Sequence, residues 1–124
     1  MANLETSLKD AMTIEGAMGV ALVDYGSGMA LGTLGDSNEI DLNMAAAGNT
    51  DLVRAKMRTM EMLGQHDNAI EDILVTLTSQ YHLIRPLTTD TGRGLFLYLA
   101  LNRGRANLAM ARHQLRRIEA TLEV

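Results

Sequence analysis

The chain has 124 residues, of which 47% are hydrophobic, which is enough for one domain (residues 1–124) with a buried core. Aromatic residues make up 3% and there are nine methionines, so the core is predicted to be aliphatic. The absence of cysteine excludes disulfides and cysteine-ligated zinc, and favours a cytoplasmic location. We expect no secretory signal, because the first residues have no basic or apolar region. We also expect no membrane span, because no uncharged apolar run approaches the roughly 18 residues required.

The net charge of −4 is distributed unevenly along the chain. Residues 1–51 carry one lysine and eight acidic residues, a net charge of −7, whereas residues 52–124 carry ten basic and seven acidic residues, a net charge of +3. Binding to nucleic acid requires a clustered positive surface. The acidic total therefore argues against nucleic acid as the main ligand.

The first elements are predicted to be a short helix and a hairpin. Residues 3–13 place Leu4, Leu8, Ala11 and Met12 at helical spacing, with Asn3 as the N-cap. The segments 16–24 and 29–35 form two strands joined by a glycine-rich turn. Three glycines leave room for an element packed closely on this hairpin, which we expect to be a helix: Gly16, Gly19 and Gly32.

A long helix is predicted from Leu42 to Leu63, capped by Asp41 and followed by Gly64. Its apolar residues fall into two stripes about 140° apart at 100° per residue. One stripe consists of Ala46, Val53, Met57 and Met60. The other consists of Ala45, Gly48, Leu52, Ala55, Thr59 and Met62. Because docking on a single sheet requires only one stripe, the second stripe predicts burial against a second subunit; the alternative is a helix that is unusually buried within one subunit.

Three short apolar runs and a last helix complete the chain. The runs span 72–78, 81–87 and 95–101 and are predicted to be strands, with a tight turn at 79–80. The helix is predicted from about Gly104 to Leu122, with Asn102 as its cap, and one apolar stripe: Leu108, Ala111, Leu115, Ile118 and Leu122. The resulting fold class is α+β, with a largely antiparallel five-stranded sheet and the element order α-β-β-α-β-β-β-α.

An arginine row on the last helix is the strongest polar candidate for binding a partner: Arg103, Arg105, Arg112, Arg116 and Arg117. These side chains are suited to docking an acidic partner. The alternative interpretation is a solvated helix face whose positive charges suit the C-terminal end of the helix dipole.

No other pattern indicates catalysis or a cofactor. The glycine-rich turns lead into strands, whereas a phosphate loop leads into a helix. The histidines His66, His82 and His113 lack metal-ligand spacing, and none of the serines in turns has a strand–Ser–helix environment. We therefore predict a protein that is not an enzyme and that has no cofactor and no metal site.

Several segments together resemble the Roadblock family of dynein light chains and its bacterial relatives. They are the strand 20–24, the helix start 45–47, the run 79–87 and the segment 102–112. The resemblance implies a profilin/longin-like fold with strand order 2-1-5-4-3, the long helix on one face and the two terminal helices on the other. The third strand would then lie at an edge of the sheet.

The resemblance also implies a partner. Family members pair this edge and the long helix with a second copy, so it implies a homodimer with the interface Ala45, Gly48, Leu52, Ala55, Thr59, Met62, Ile73, Val75 and Leu77. Several family members bind or regulate small Ras-like GTPases, which makes a non-catalytic GTPase regulator or scaffold the expected function. The alternatives are a small-ligand sensor and a general scaffold subunit without a GTPase partner.

Overall fold

The computed structural model describes residues 2–124. The elements follow the predicted order: α1 (Leu4–Met12), β1 (Ala17–Asp24), β2 (Met29–Gly35), α2 (Leu42–Met62), β3 (Ile73–Thr76), β4 (Gln80–Pro86), a 3-10 turn (Asp90–Gly92), β5 (Leu95–Asn102) and α3 (Leu108–Thr121). The strands form one antiparallel sheet in the order β2-β1-β5-β4-β3. This confirms the fold class and the strand order. Within residues 2–124, no helix is both long and apolar enough to cross a membrane.

The sheet separates two apolar clusters, because alternate residues of each strand point to opposite faces. On β5, Leu97, Leu99 and Leu101 pack with α1 and α3. Phe96 and Tyr98 point the other way and pack with α2. The long helix therefore covers one face and the two terminal helices cover the other, as predicted. The central strands are buried on both faces, which explains their continuous apolar runs.

The helix starts follow from local hydrogen bonds. The Asn3 side chain accepts a hydrogen bond from the Thr6 N–H, and the Asp41 side chain accepts one from the Met44 N–H. Both predicted caps are confirmed. Gly64 follows α2 with φ of +72°, the conformation expected just past a helix end.

Two predicted boundaries were wrong. The last helix begins at Leu108 and is capped by Asn107, whose side chain accepts from the Met110 N–H. Asn102 instead ends β5, and its side chain accepts from the Gly104 N–H in the turn that follows. The third strand was predicted over 72–78 but spans only Ile73–Thr76, because the Leu77 N–H donates to the Gln80 carbonyl and closes the turn.

The close packing predicted at the hairpin glycines is also present. A Cβ added to Gly32 would lie 3.0 Å from a Leu4 methyl group, so α1 rests directly on β2. A Cβ on Gly19 would lie 3.0 Å from Ile40 and from Leu42, at the start of α2. Small residues in β1 and β2 therefore set how near both helices approach the sheet.

Gly35 gives the sharpest test of close packing between the two hairpin strands. Its φ is +144°, and an added Cβ would lie 2.7 Å from the Gly19 Cα. Replacing Gly35 with Ala is expected to lower the free energy of unfolding by about 1–3 kcal/mol, the usual cost of overpacking. The control is Gly104→Ala, where the added Cβ meets its nearest atom at 3.4 Å and the change should stay within about 0.5 kcal/mol. Urea unfolding measures both, and equal stabilities would contradict this account.

Candidate interaction surface

The helix α2 has one apolar stripe against its own sheet and one that faces outwards. Ala46 and Val53 are fully buried, and Met57 and Met60 are half-buried. The second stripe is largely exposed: Ala45 is half-buried, whereas Gly48, Leu52, Ala55, Thr59 and Met62 are exposed, with Met62 at 80%. The structure confirms that the sheet of one subunit satisfies only one stripe. We call the second set the outer stripe of α2.

The strand β3 is an edge of the sheet, and part of it faces the side that α2 covers. It pairs with β4 through Ile73 opposite Ile84 and Val75 opposite His82, and no strand in residues 2–124 pairs with its other side. Ile73 and Val75 are half-buried and pack against the same cluster as Ala45 of the outer stripe. The structure therefore places these predicted interface residues on one face.

Leu77 lies apart from the other predicted interface residues. It belongs to the turn after β3 and is 39% exposed. Its N–H donates to the Gln80 carbonyl, and its carbonyl accepts from the Arg103 guanidinium at 3.0 Å. Leu77 thus extends the apolar surface at the end of the strand without adding to the free edge itself.

On β4, paired with Val75 of β3, lies a histidine to which the sequence assigned no role. The His82 Nδ1 lies 3.2 Å from the Tyr98 hydroxyl, and its Nε2 lies 2.7 Å from the Gln80 side-chain oxygen. A neutral imidazole with its proton on Nε2 satisfies both hydrogen bonds. Burial lowers the pKa of His82 from its ordinary value and raises the pKa of Tyr98 to about 12.

The five predicted arginines do not form one row. Arg103 and Arg105 precede α3, so their placement on the last helix was wrong. Arg112 makes two hydrogen bonds to the Asp72 carboxylate, and Arg116 lies 3.8 Å from the Glu71 carboxylate. Arg103 also stacks over the Tyr81 ring, 5.3 Å from its centroid. Arg105 and Arg117 are exposed. Three of these side chains therefore have partners within the subunit, and partner binding stays a prediction for the set.

A buried ion pair between β4 and α3 was missed by sequence analysis. The Arg85 Nε donates to one carboxylate oxygen of Glu119, and the other oxygen accepts from the Thr88 N–H and hydroxyl. Arg85 also donates to the Glu71 carbonyl at 3.1 Å. Both ionised groups are buried. The one available signal was Glu119 next to Ile118 in the apolar stripe of α3, where a carboxylate requires a partner.

Local hydrogen bonds hold the glycine-rich hairpin turn. The Gly26 N–H donates a hydrogen bond to the Asp24 carboxylate within this turn. Across residues 2–124, no group of three or more His, Cys, Asp or Glu side chains is placed to hold a metal ion.

Comparison with known proteins places the fold. No family model and no curated protein matches the chain in sequence. Among solved structures, it is similar to a Roadblock/LC7 domain from Streptomyces avermitilis, with a TM-score of 0.78, 13% identity, and coverage of 97% of this chain and 94% of that chain. It is also similar to Myxococcus xanthus MglB, with a TM-score of 0.72, 17% identity, and coverage of 93% and 84%. It is similar as well to an MglB structure with a tetrameric arrangement, with a TM-score of 0.75, 14% identity, and coverage of 93% of this chain and 81% of that chain.

These similarities define the class of fold. The chain has the Roadblock/LC7 fold, as its sequence segments predicted. The similarity to the two MglB structures also extends over 93% of this chain.

The buried ion pair gives a stability prediction. Replacing Glu119 with Ala leaves the Arg85 charge buried without its partner, which should lower the free energy of unfolding by about 3–5 kcal/mol. Glu123→Ala is the matched control, because Glu123 is an exposed glutamate four residues after Glu119. This control should change the free energy of unfolding by less than about 0.5 kcal/mol. Both values are measured by urea unfolding. Equal losses of unfolding free energy in the two variants would show that the buried ion pair does not stabilise the fold.

The His82 environment gives a pH prediction. Because burial disfavours the protonated form, the unfolded chain binds more protons than the folded chain just below the ordinary pKa of 6.5. The free energy of unfolding should therefore fall as the pH drops through this value, and recover as the pH rises above it. Comparing His82→Gln with the control His66→Gln tests this, since only the first should flatten the pH dependence. Parallel curves for both variants would contradict it.

Proposed function

We propose that this chain is a non-catalytic module that forms a homodimer and, as a dimer, regulates or scaffolds a small Ras-like GTPase. Two observations carry the proposal: β3 is an edge strand whose Ile73 and Val75 pack on the sheet face that α2 covers, and α2 has an exposed outer stripe. The β3 edge has unpaired backbone groups and the outer stripe has exposed apolar side chains, so both would be stabilised by contact with a partner. A cytoplasmic location is part of the proposal and is supported by the absence of cysteine.

The β3 edge is suited to pairing with a copy of itself. A free edge presents unpaired N–H and C=O groups, and proteins usually protect such edges with charges, proline or a covering element. The residues Ile73, Leu74 and Val75 supply none of these protections. A second copy related by a twofold axis would pair its own β3 with this one and close the assembly. The sheet would then continue through both subunits.

The outer stripe of α2 is suited to the same partner. Its small residues Gly48 and Ala55 allow the backbone of another helix to approach closely, and Leu52 and Met62 supply apolar area. A twofold axis that pairs the two β3 strands also brings together the two copies of this face. One arrangement would therefore cover the β3 edge and the outer stripe together. The apolar surface buried in this way would contribute a favourable free energy of about 25 cal/mol per Å².

The GTPase partner rests on the resemblance to the Roadblock family and on the shared fold. Several Roadblock family members bind or regulate small Ras-like GTPases, and the present fold is similar to the MglB proteins and to a Roadblock/LC7 domain. One MglB protein has a tetrameric arrangement, which supports self-association for the fold.

A small-ligand sensor is the second candidate, because one cleft favours it. The cleft lies beyond the end of α2, has a volume of about 530 Å³, and is lined by Met57, Met60, Ile70 and Tyr25 among others. This volume lies within the range of small-molecule sites. Native mass spectrometry of freshly purified protein separates the candidates: a ligand carried through purification favours the sensor, and a ligand-free dimer favours the interaction module.

Two substitutions test the proposed interface. Val75→Asp places a charge on the β3 edge, and Ala55→Glu places one on the outer stripe, so each should convert the dimer to a monomer. Sedimentation velocity measures the result. The controls are Met29→Asp on the opposite edge strand and Ala47→Glu on an exposed position of α2 outside the stripe. A dimer that survives both test substitutions would show that the interface lies elsewhere.

The GTPase role is tested directly by adding the purified protein to small Ras-like GTPases from the same organism. Wild-type protein is expected to change the rate of GTP turnover or of nucleotide release, and the monomeric Val75→Asp variant is expected to change it less. Binding without any change of rate would leave the scaffold role. An absence of both binding and rate change for every such GTPase tested would contradict the proposal.

A further inference from the structure

A cluster of ion pairs joins β3 to the opposite side of the subunit. The Arg112 guanidinium of α3 makes two parallel hydrogen bonds to Asp72, with Nε at 3.0 Å from one oxygen and Nη2 at 2.9 Å from the other. Arg116 lies 3.8 Å from the Glu71 carboxylate, and Arg85 donates to the Glu71 carbonyl. We call the residues Glu71, Asp72, Arg85, Arg112 and Arg116 the β3 anchor.

The β3 anchor acts on a strand that has little other support. β3 is four residues long, and among the strands of residues 2–124 it pairs with β4 alone. Residues 63–72, which connect it to α2, form no helix or strand. Short strands with one neighbour open easily, because few backbone hydrogen bonds hold them. The anchor acts at the residue immediately before the strand, so it fixes where the strand begins.

The geometry of the Arg112–Asp72 pair suits this role better than a free charged surface does. The Asp72 side chain is only 15% exposed, and its two oxygens both bond to one planar guanidinium. Such a two-bond pair fixes direction as well as distance. A lysine would supply the charge without the fixed geometry.

We infer that Arg112 is a positioning residue for self-association: by holding Asp72, it keeps β3 in the register that its free edge presents to a second copy. This inference rests on the proposed homodimer. It also assigns a role to part of the arginine set, since Arg112 and Arg116 then act within the subunit and leave Arg105 and Arg117 as the exposed members. The α3 helix and the proposed interface, on different faces of the sheet, are thereby coupled.

The test compares Arg112→Gln and Arg112→Lys with Arg117→Gln, an exposed arginine on the same helix. Two quantities are measured for each: hydrogen exchange of the amides of residues 73–76, and the dimer dissociation constant. With Arg112→Gln, the exchange is expected to become about tenfold faster and the dissociation constant to rise about three- to tenfold, because a charge-assisted pair is lost. Arg112→Lys should fall between Arg112→Gln and wild type, and Arg117→Gln should match wild type.

A charge exchange provides a rescue. Combining Arg112→Asp with Asp72→Arg restores an ion pair in the opposite direction, so it should recover part of the slow exchange and of the affinity that Arg112→Asp alone loses. This comparison also covers the case in which a single variant folds poorly.

The two proposals fail in different ways. A wild-type chain that remains monomeric at all concentrations would overturn the proposed homodimer. A normal dimer whose residues 73–76 exchange as slowly in Arg112→Gln as in wild type would overturn the role of Arg112 alone. Faster exchange with an unchanged dissociation constant would also overturn the inference, since β3 would then not be part of the interface.

Discussion

The structure depends on one constraint, which is that α2 has two apolar stripes and one sheet face to pack against. Ala46 and Val53 are fully buried against that face, whereas Leu52, Ala55 and Met62 are exposed. The same face ends at β3, whose outer edge is also unpaired. An exposed helix stripe and a free edge have the same physical remedy, the burial of apolar area together with backbone hydrogen bonding. This is why we propose that the outer stripe of α2 and the β3 edge mediate self-association.

The opposite face of the sheet shows how the rest of the fold supports that surface. There α1 and α3 cover a continuous core, and α3 also carries Glu119 and Arg112 towards the segments that flank β3 and β4. A buried ion pair costs desolvation energy, and it remains favourable only when hydrogen bonds satisfy its oxygens. Glu119 meets this condition through Arg85 and Thr88. The polar contacts of α3 thus fix β4 and the segment that leads into the edge strand β3.

Much of the fold could be predicted from local sequence signals. The two stripes of α2, its cap at Asp41 and the two hairpins follow from periodicity and turn residues, which act over a few positions. The order of the strands in the sheet was implied only by the resemblance to the Roadblock family. The ion pairs could not be predicted, because Arg85 and Glu119 are 34 positions apart and Arg112 and Asp72 are 40 apart. The helix start was misassigned because Asn102 and Asn107 are equally good caps in sequence; pairing of Asn102 with Gln80 in the sheet decides between them. The predicted arginine row failed for the same reason, since only the folded chain shows which arginines already have carboxylate partners.

The most direct measurement of the central claim uses the absence of cysteine from the chain. Single cysteines are introduced in turn at Ile73, Leu74, Val75 and Thr76 on β3, and at Leu31 on the opposite edge strand β2. Each variant is treated with an oxidant or a short bismaleimide, since a disulfide requires the two Cβ atoms to lie within about 4.5 Å. The account predicts efficient covalent dimers for at least one β3 position and little or none for Leu31→Cys. Cross-linking at Leu31 alone, or at no position, would contradict it.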